Sequence, residues 1–164
     1  MVLQINLGLI FMTTLSDRLD RVYAIFVLCA TSLQPLFLLF VRLYWGWQFG
    51  QTGWGKLHNL PHVIAFFTNL GIPAPALNAY FVSSLECFGG ILLAVGLGSR
   101  ILAFMFTIDM IVAYVTADRA ALLSIFSKPD DFVAATPFPF LMASLIILIF
   151  GPGRFALDYL IERR

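Results

Sequence analysis

Residues 76–97 read ALNAYFVSSLECFGGILLAVGL, and Glu86 is the only charge in the stretch. A bilayer core takes about 20 apolar residues in helix. Backbone amides in lipid must bond within their own segment, so a run of this kind reads as a helix. A barrel strand would alternate with polar residues at about every second position, and this run does not. Working outward, three more runs share the character. Residues 35–53 are interrupted only by Arg42, residues 101–117 carry only Asp109, and residues 132–151 carry no charge. The predicted fold class is therefore all-α: a polytopic membrane four-helix bundle. Between the first and second spans, Val63, Ile64, Phe66, Phe67 and Leu70 fit a short interfacial helix, followed by the turn Gly71-Ile72-Pro73-Ala74-Pro75.

Composition agrees. The chain is 60% hydrophobic and 12% charged, with a mean hydropathy of +0.91, whereas soluble domains carry roughly 25% charged residues. A net charge of +1 offers no basic surface for nucleic acid. The partner class implied is the lipid bilayer. No Lys or Arg precedes Arg18, so a cleaved secretory signal is not expected. Cys29 and Cys87 sit in apolar runs and read as small buried hydrophobes, not as a disulfide or metal framework.

The expected organisation is an N-terminal apolar and interfacial segment at 1–34, a four-span domain at 35–153 and a short basic tail at 154–164. Residues 1–15 read as a loosely held apolar tail, and 15–33 as an interfacial helix or an early extension of the first span. An extra span over 22–34 is the alternative, because Gln34-Pro35 interrupts the run and proline favours a first helical turn. Arg18, Arg21, Arg100, Arg154, Arg163 and Arg164 fall on one side of the membrane, and Lys56, Arg119 and Lys128 on the other. That asymmetry predicts that both termini are cytoplasmic.

Arg42, Glu86 and Asp109 each lie near the middle of a span. A charge there costs at least about 2.5–3.5 kcal/mol, so such residues face the bundle and find partners. Gly46, Gly50 and Gly53 line the Arg42 face, and Ser83, Gly90, Ala94 and Gly98 the Glu86 face. Small residues at this spacing let helices approach closely. The expectation is that Arg42 and Glu86 meet directly or through water, with Asp109 assisting. One cation facing two acids leaves one acid uncompensated. That arrangement suits proton handling, and a structural ion pair fixing helix register is the competing reading. Tyr44, Trp45, Trp47, Trp54 and His58 form either an aromatic belt at the headgroups or a stacking wall for a flat ring, and Lys56 is expected to snorkel to the interface. His58 and His62 stand four apart, but Pro61 between them argues against a metal pair.

The stretch Arg42-Leu43, Gly46, Phe49, Gly53 and Lys56-Leu57 resembles the opening signature of the DoxX family. Gly71-Ile72-Pro73, Glu86, Gly89-Gly90-Ile91-Leu92-Leu93, Gly96-Leu97 and Arg100 resemble its second. The resemblance spans roughly residues 35–151 and implies a four-helix membrane bundle in a bacterial cytoplasmic membrane. Its implied activity is that of a small subunit of a quinone-linked redox complex, acting on thiosulfate or thiols. On that reading Arg42, Glu86 and Asp109 form the polar centre, and Trp45, Phe49, Lys56 and Tyr80 border a quinone. The sequence has no flavin, haem or metal motif, so electrons would travel by a quinone or a redox partner subunit. The competing expectation is a non-catalytic scaffold or assembly subunit of a larger membrane complex.

Overall fold

In the computed structural model, residues 2–162 are described, with side chains for 18–161. Helix α1 is Val2–His58. The chain falls into two units, residues 1–35 and residues 36–164. In the first unit the backbone is helical from Val2, where a loose tail was expected, and the side chains of 1–17 lie outside the described residues. Helical backbone also continues through Pro35. A proline there frees the carbonyl four residues earlier, that of Thr31, and the helix carries on past it. Thr31 and Ser32 donate their hydroxyls to the carbonyls of Val27 and Leu28, at 2.8 and 2.7 Å. Cys29 is exposed, so its expected burial is not found.

In the second unit, α1 continues to His58, beyond the expected end at Gly53. Helix α2 (Leu60–Asn69) follows, and Pro61 occupies its first turn, where the missing N–H costs nothing. The next span comprises α3 (Pro75–Ser84), a π-helical turn (Leu85–Gly89) and α4 (Gly90–Val95). After the turn Gly96–Gly98 comes α5 (Ser99–Thr116). Short helices α6 (Arg119–Leu123) and α7 (Pro129–Ala134) lead to α8 (Pro137–Phe150), and α9 (Leu157–Glu162) closes the chain.

Among the described residues, Arg18–His58, Pro75–Val95 and Ser99–Thr116 are long and apolar enough to cross a membrane, and α8 adds a shorter apolar helix. The expected fourth span over 132–151 is cut. Ala135 is extended, with ψ 141, and α8 begins only at Pro137. Pro137 and Pro139 cannot donate to carbonyls in a helix continuing from α7. The Tyr114 hydroxyl donates to the Phe132 carbonyl at 2.8 Å, which ties α7 to the end of α5. The chain is thus an all-helical integral membrane protein whose apolar helices form a bundle.

The core draws on four helices: Val41 and Phe49 from α1, Leu93 from α4, Ala103, Phe106 and Met110 from α5, and Ala143 and Ile147 from α8. Phe49 stacks on Phe106 with ring centroids 3.9 Å apart and meets Phe140 edge-on. The small-residue faces meet as their spacing predicts. A Cβ added at Gly46 would lie 2.7 Å from the Gly90 carbonyl oxygen, and one at Gly53 would run into the backbone of Glu86 and Cys87. Such contact between backbones is what glycine permits in apolar helix pairs.

Candidate functional site

At the α2 end of the bundle, Gly53 seats the backbone of Glu86 and Cys87 directly on α1. Glu86 belongs to the π-helical turn, and such turns inside α-helices are frequent at functional sites because they re-aim a side chain. Here the turn sends a carboxylate that is 2% exposed toward the last turn of α1. Lys56 Nζ donates to Glu86 Oε1 at 2.7 Å. Lys56 therefore does not snorkel to the interface; its ammonium bends inward to meet a buried acid.

The expected contact between Arg42 and Glu86 is not formed. Arg42 stands fourteen residues before Lys56 on the same helix, about 21 Å along its axis. It packs instead beside Gly96, Ala156 and the C-terminal segment. Depth in the sequence placed both charges near mid-membrane, but depth does not say which neighbour a long side chain reaches. Lys56 has four methylenes and travels inward to Glu86, while Arg42 extends to the opposite end.

Asp109 joins the Lys56–Glu86 pair. Its carboxyl lies against that of Glu86, close enough to share a proton, and feels the Lys56 charge. Glu86 Oε2 and Asp109 Oδ2 are buried and have no N–H or O–H donor among the described residues. One ammonium balances one carboxylate, so the second needs a proton or an incoming donor. All three side chains line a cavity of about 560 Å³ between α2, α3 and α5, walled mainly by Val63, Phe66, Phe67, Leu70, Val82 and Met110. His62, Asn78 and Thr116 add polar groups. An apolar concavity of this size with a few convergent polar atoms has the form of a small-molecule site.

The expected quinone border is divided. Phe49 is 1% exposed and belongs to the core. Trp45 packs edge-on against Phe140 at 5.1 Å. Tyr80 is exposed. Of the four residues named for a quinone, Lys56 alone lines the cavity. Trp47 and Trp54 instead flank a separate apolar groove of about 490 Å³ over Gly46, Gly50 and Cys87. His58 is tied to Trp54, through a 2.9 Å contact between Nδ1 and the Trp54 carbonyl and through ring contact. No group of three or more metal-ligating side chains occurs among the described residues.

At the other end, Asp158 accepts from the Gly98 and Ser99 amides at 2.7 and 2.8 Å and caps α5 from a distance in sequence. Its own N–H donates to the Gly96 carbonyl. Arg42 Nη2 donates to the Phe155 carbonyl at 2.9 Å. Burial alone would raise the Asp158 carboxyl, but the two amides and the Arg42 charge outweigh it and hold it below its ordinary range. Gly96 makes this closure possible. Its φ is +84, and a Cβ there would collide with Arg42 Nη1. Residues 151–158 had been read only as a breaker followed by a basic tail. The available signal was Asp158, one of two acids, with Glu162, in an otherwise basic tail.

The DoxX family pattern matches residues 37–119, which carry the cavity triad and Arg42. A protein of Bacillus subtilis (strain 168), named "Putative oxidoreductase CatD", is 31% identical over 83 residues, 51% of this chain and 60% of that protein. The match thus spans about three fifths of the relative's length. No solved structure matches. With half of its length matched, spanning α1 to the end of α5, the chain belongs to the DoxX family.

Proposed function

We propose that this protein is the small membrane subunit of a quinone-linked redox complex and that the Lys56–Glu86–Asp109 cavity takes a quinone headgroup. The observation that carries the reading is the pair of buried, donor-less carboxyl oxygens on two residues that line a mainly apolar cavity beside one ammonium. The cavity volume falls within the usual range for small-molecule sites, about 300–1,000 Å³. Kinship to a protein with oxidoreductase in its name supports the same direction. A bound quinone would take up two electrons and two protons to give the quinol, the electrons coming from a thiol-class donor (2 RSH + Q → RSSR + QH₂) through a partner subunit.

The residues divide the remaining work. Lys56 donates a charge-assisted hydrogen bond to a ring oxygen. Glu86 and Asp109 hold a proton between them and release it toward the cavity. The apolar walls from α2 and α5 would displace water around a bound ring, which strengthens each of these interactions. Arg42 serves the opposite end and takes no part. Both termini are proposed to face the cytoplasm of a bacterial inner membrane. Thiol labelling from outside tests this: a Cys at Phe126, which is 98% exposed, should react, and one at Leu160 should not.

Binding of a short-chain quinone to the purified full chain tests the site. Lys56→Gln and Glu86→Gln should each weaken binding about tenfold or more, the worth of a charge-assisted hydrogen bond. Unchanged binding in both would sink the assignment. If binding falls instead in Trp47→Leu and Trp54→Leu, the ring docks in the aromatic groove. The second reading, a scaffold subunit, draws on Val22, Tyr23, Ile25, Phe26 and Leu28, which are all exposed on the first unit. A purified complex that holds the chain but binds no quinone would favour it.

A further inference from the structure

The end of the bundle away from the triad holds a second cavity, of about 520 Å³, lined by Gly98, Arg100, Ile101, Phe150, Gly151, Arg154 and Asp158 among others. Two guanidiniums converge here from opposite elements, Arg100 from the first turn of α5 and Arg154 from the chain after α8. Arg100 lies close against the backbone after α8. Its Nε and Nη2 lie over Gly151, whose φ is +80 and where a Cβ would come within 3.0 Å of Nη2. Neither arginine has a hydrogen-bond or ion-pair partner among the described residues. Among the described residues Asp158 is the one acid lining the cavity, and both of its oxygens already accept backbone amides. Arg42 lies near it as a further positive charge. Among the described residues the local balance is thus positive, and many guanidinium N–H donors have no acceptor.

We infer that this cavity binds the phosphate of an anionic phospholipid. Arginine forks match phosphate oxygens in paired hydrogen bonds. The cavity lies level with the ends of α4, α5 and α8, where span meets headgroup. Ile101 and Phe150, 69% and 59% exposed, continue its rim along the apolar flank of the bundle and offer a track for acyl chains. A free phosphate would use the arginines but leave that track idle. Basic pockets between transmembrane helices are known hosts for anionic headgroups.

The test is native mass spectrometry of the full chain in mild detergent, titrated separately with phosphatidylglycerol, phosphatidylcholine and inorganic phosphate. Phosphatidylglycerol should bind several-fold better than phosphatidylcholine. Arg100→Gln and Arg154→Gln should each weaken it about fivefold, the worth of one basic residue at a membrane surface. Lys128→Gln, at the other end of the bundle, should not. Arg154 is exposed on a turn, so its variant remains informative if Arg100→Gln fails to fold. Equal binding of the two lipids, or unchanged binding in both arginine variants, would overturn the proposal. Inorganic phosphate binding as tightly as phosphatidylglycerol would overturn it in favour of a free-phosphate site.

Discussion

The two ends of the bundle each hold acids, and they treat their carboxylates oppositely. At the Gly96 end, Asp158 gives each oxygen to a backbone amide; Arg42 reaches a backbone carbonyl through Nη2, while its Nε and Nη1 are buried without an acceptor among the described residues. The chain's own main-chain groups stand opposite these charges. At the α2 end, Glu86 and Asp109 share a single ammonium and keep buried oxygens with no donor among the described residues. A carboxylate satisfied by backbone, as Asp158 is, serves as a fastener. A charge left with spare lone pairs beside a cavity is held ready for something that arrives. Both ends come from the same small set of intramembrane residues, so residue type and depth alone cannot separate a fastener from a site.

The sharpest test of this contrast is Lys56→Met. It would strand two neighbouring carboxyls and should cost on the order of 3–5 kcal/mol near neutral pH, toward the lower end because the ammonium is partly exposed. Arg42→Met strands the Phe155 carbonyl and takes the nearby cation from Asp158, which keeps its two amides, and should cost about 1–3 kcal/mol. Denaturant unfolding in one detergent measures both, and the reverse order would break the comparison. Next come the helix contacts beneath the two ends. Gly46→Ala drives a Cβ into the backbone of Gly90 and Ala94 and should cost about 1–3 kcal/mol. Gly55→Ala meets nothing within 4 Å and should be neutral or stabilising by up to about 1 kcal/mol.

Asp109→Asn should change stability by less than about 1 kcal/mol, because it keeps the shape and removes a charge that Lys56 only half balances. A larger loss would make Asp109 a fastener after all. The smallest effect belongs to Asp158. Its folded carboxyl titrates below its unfolded value of about 3.8. Its contribution is therefore complete above that value and is lost as pH falls through the lower, folded one. The amide NMR signals of Gly98 and Ser99 should shift only below about pH 3.8, and a transition well above it would contradict the amide-held carboxylate.

The sequence made the apolar helices, the interfacial helix and the glycine faces legible, because run length and small-residue spacing act locally. The sequence singled out Glu86 and Asp109 as charges needing partners, and the structure sets them together. Their cation was misassigned. The choice between Arg42 and Lys56 depends on helix direction and side-chain reach, neither of which a depth count contains. Lys56 looked interfacial because it lies past Gly53, where the helix was expected to stop. The break before Pro137 was written in Pro137 and Pro139 but hidden by an uncharged run. The Asp158 closure joins residues about sixty apart, and no periodicity reports that.

The π-helical turn at Leu85–Gly89 has one more consequence. Such a turn accommodates one residue more than an α-helix of the same rise, and each residue of α-helix advances the side chains by about 100°. A chain one residue shorter here would form an unbroken helix and rotate Pro75–Ser84 by that angle against Gly90–Val95. Ala79 and Ser83 would swing out of the interior, or Gly90 and Leu93 would, since one rigid cylinder could not present both pairs inward. The inserted residue works as a phase adjuster: it lets the Gly90 half stay locked to α1 while the Ser83 half takes its own angle. Deleting Phe88 would cost the protein the alignment between its scaffold and its acid, with hardly any loss of helix.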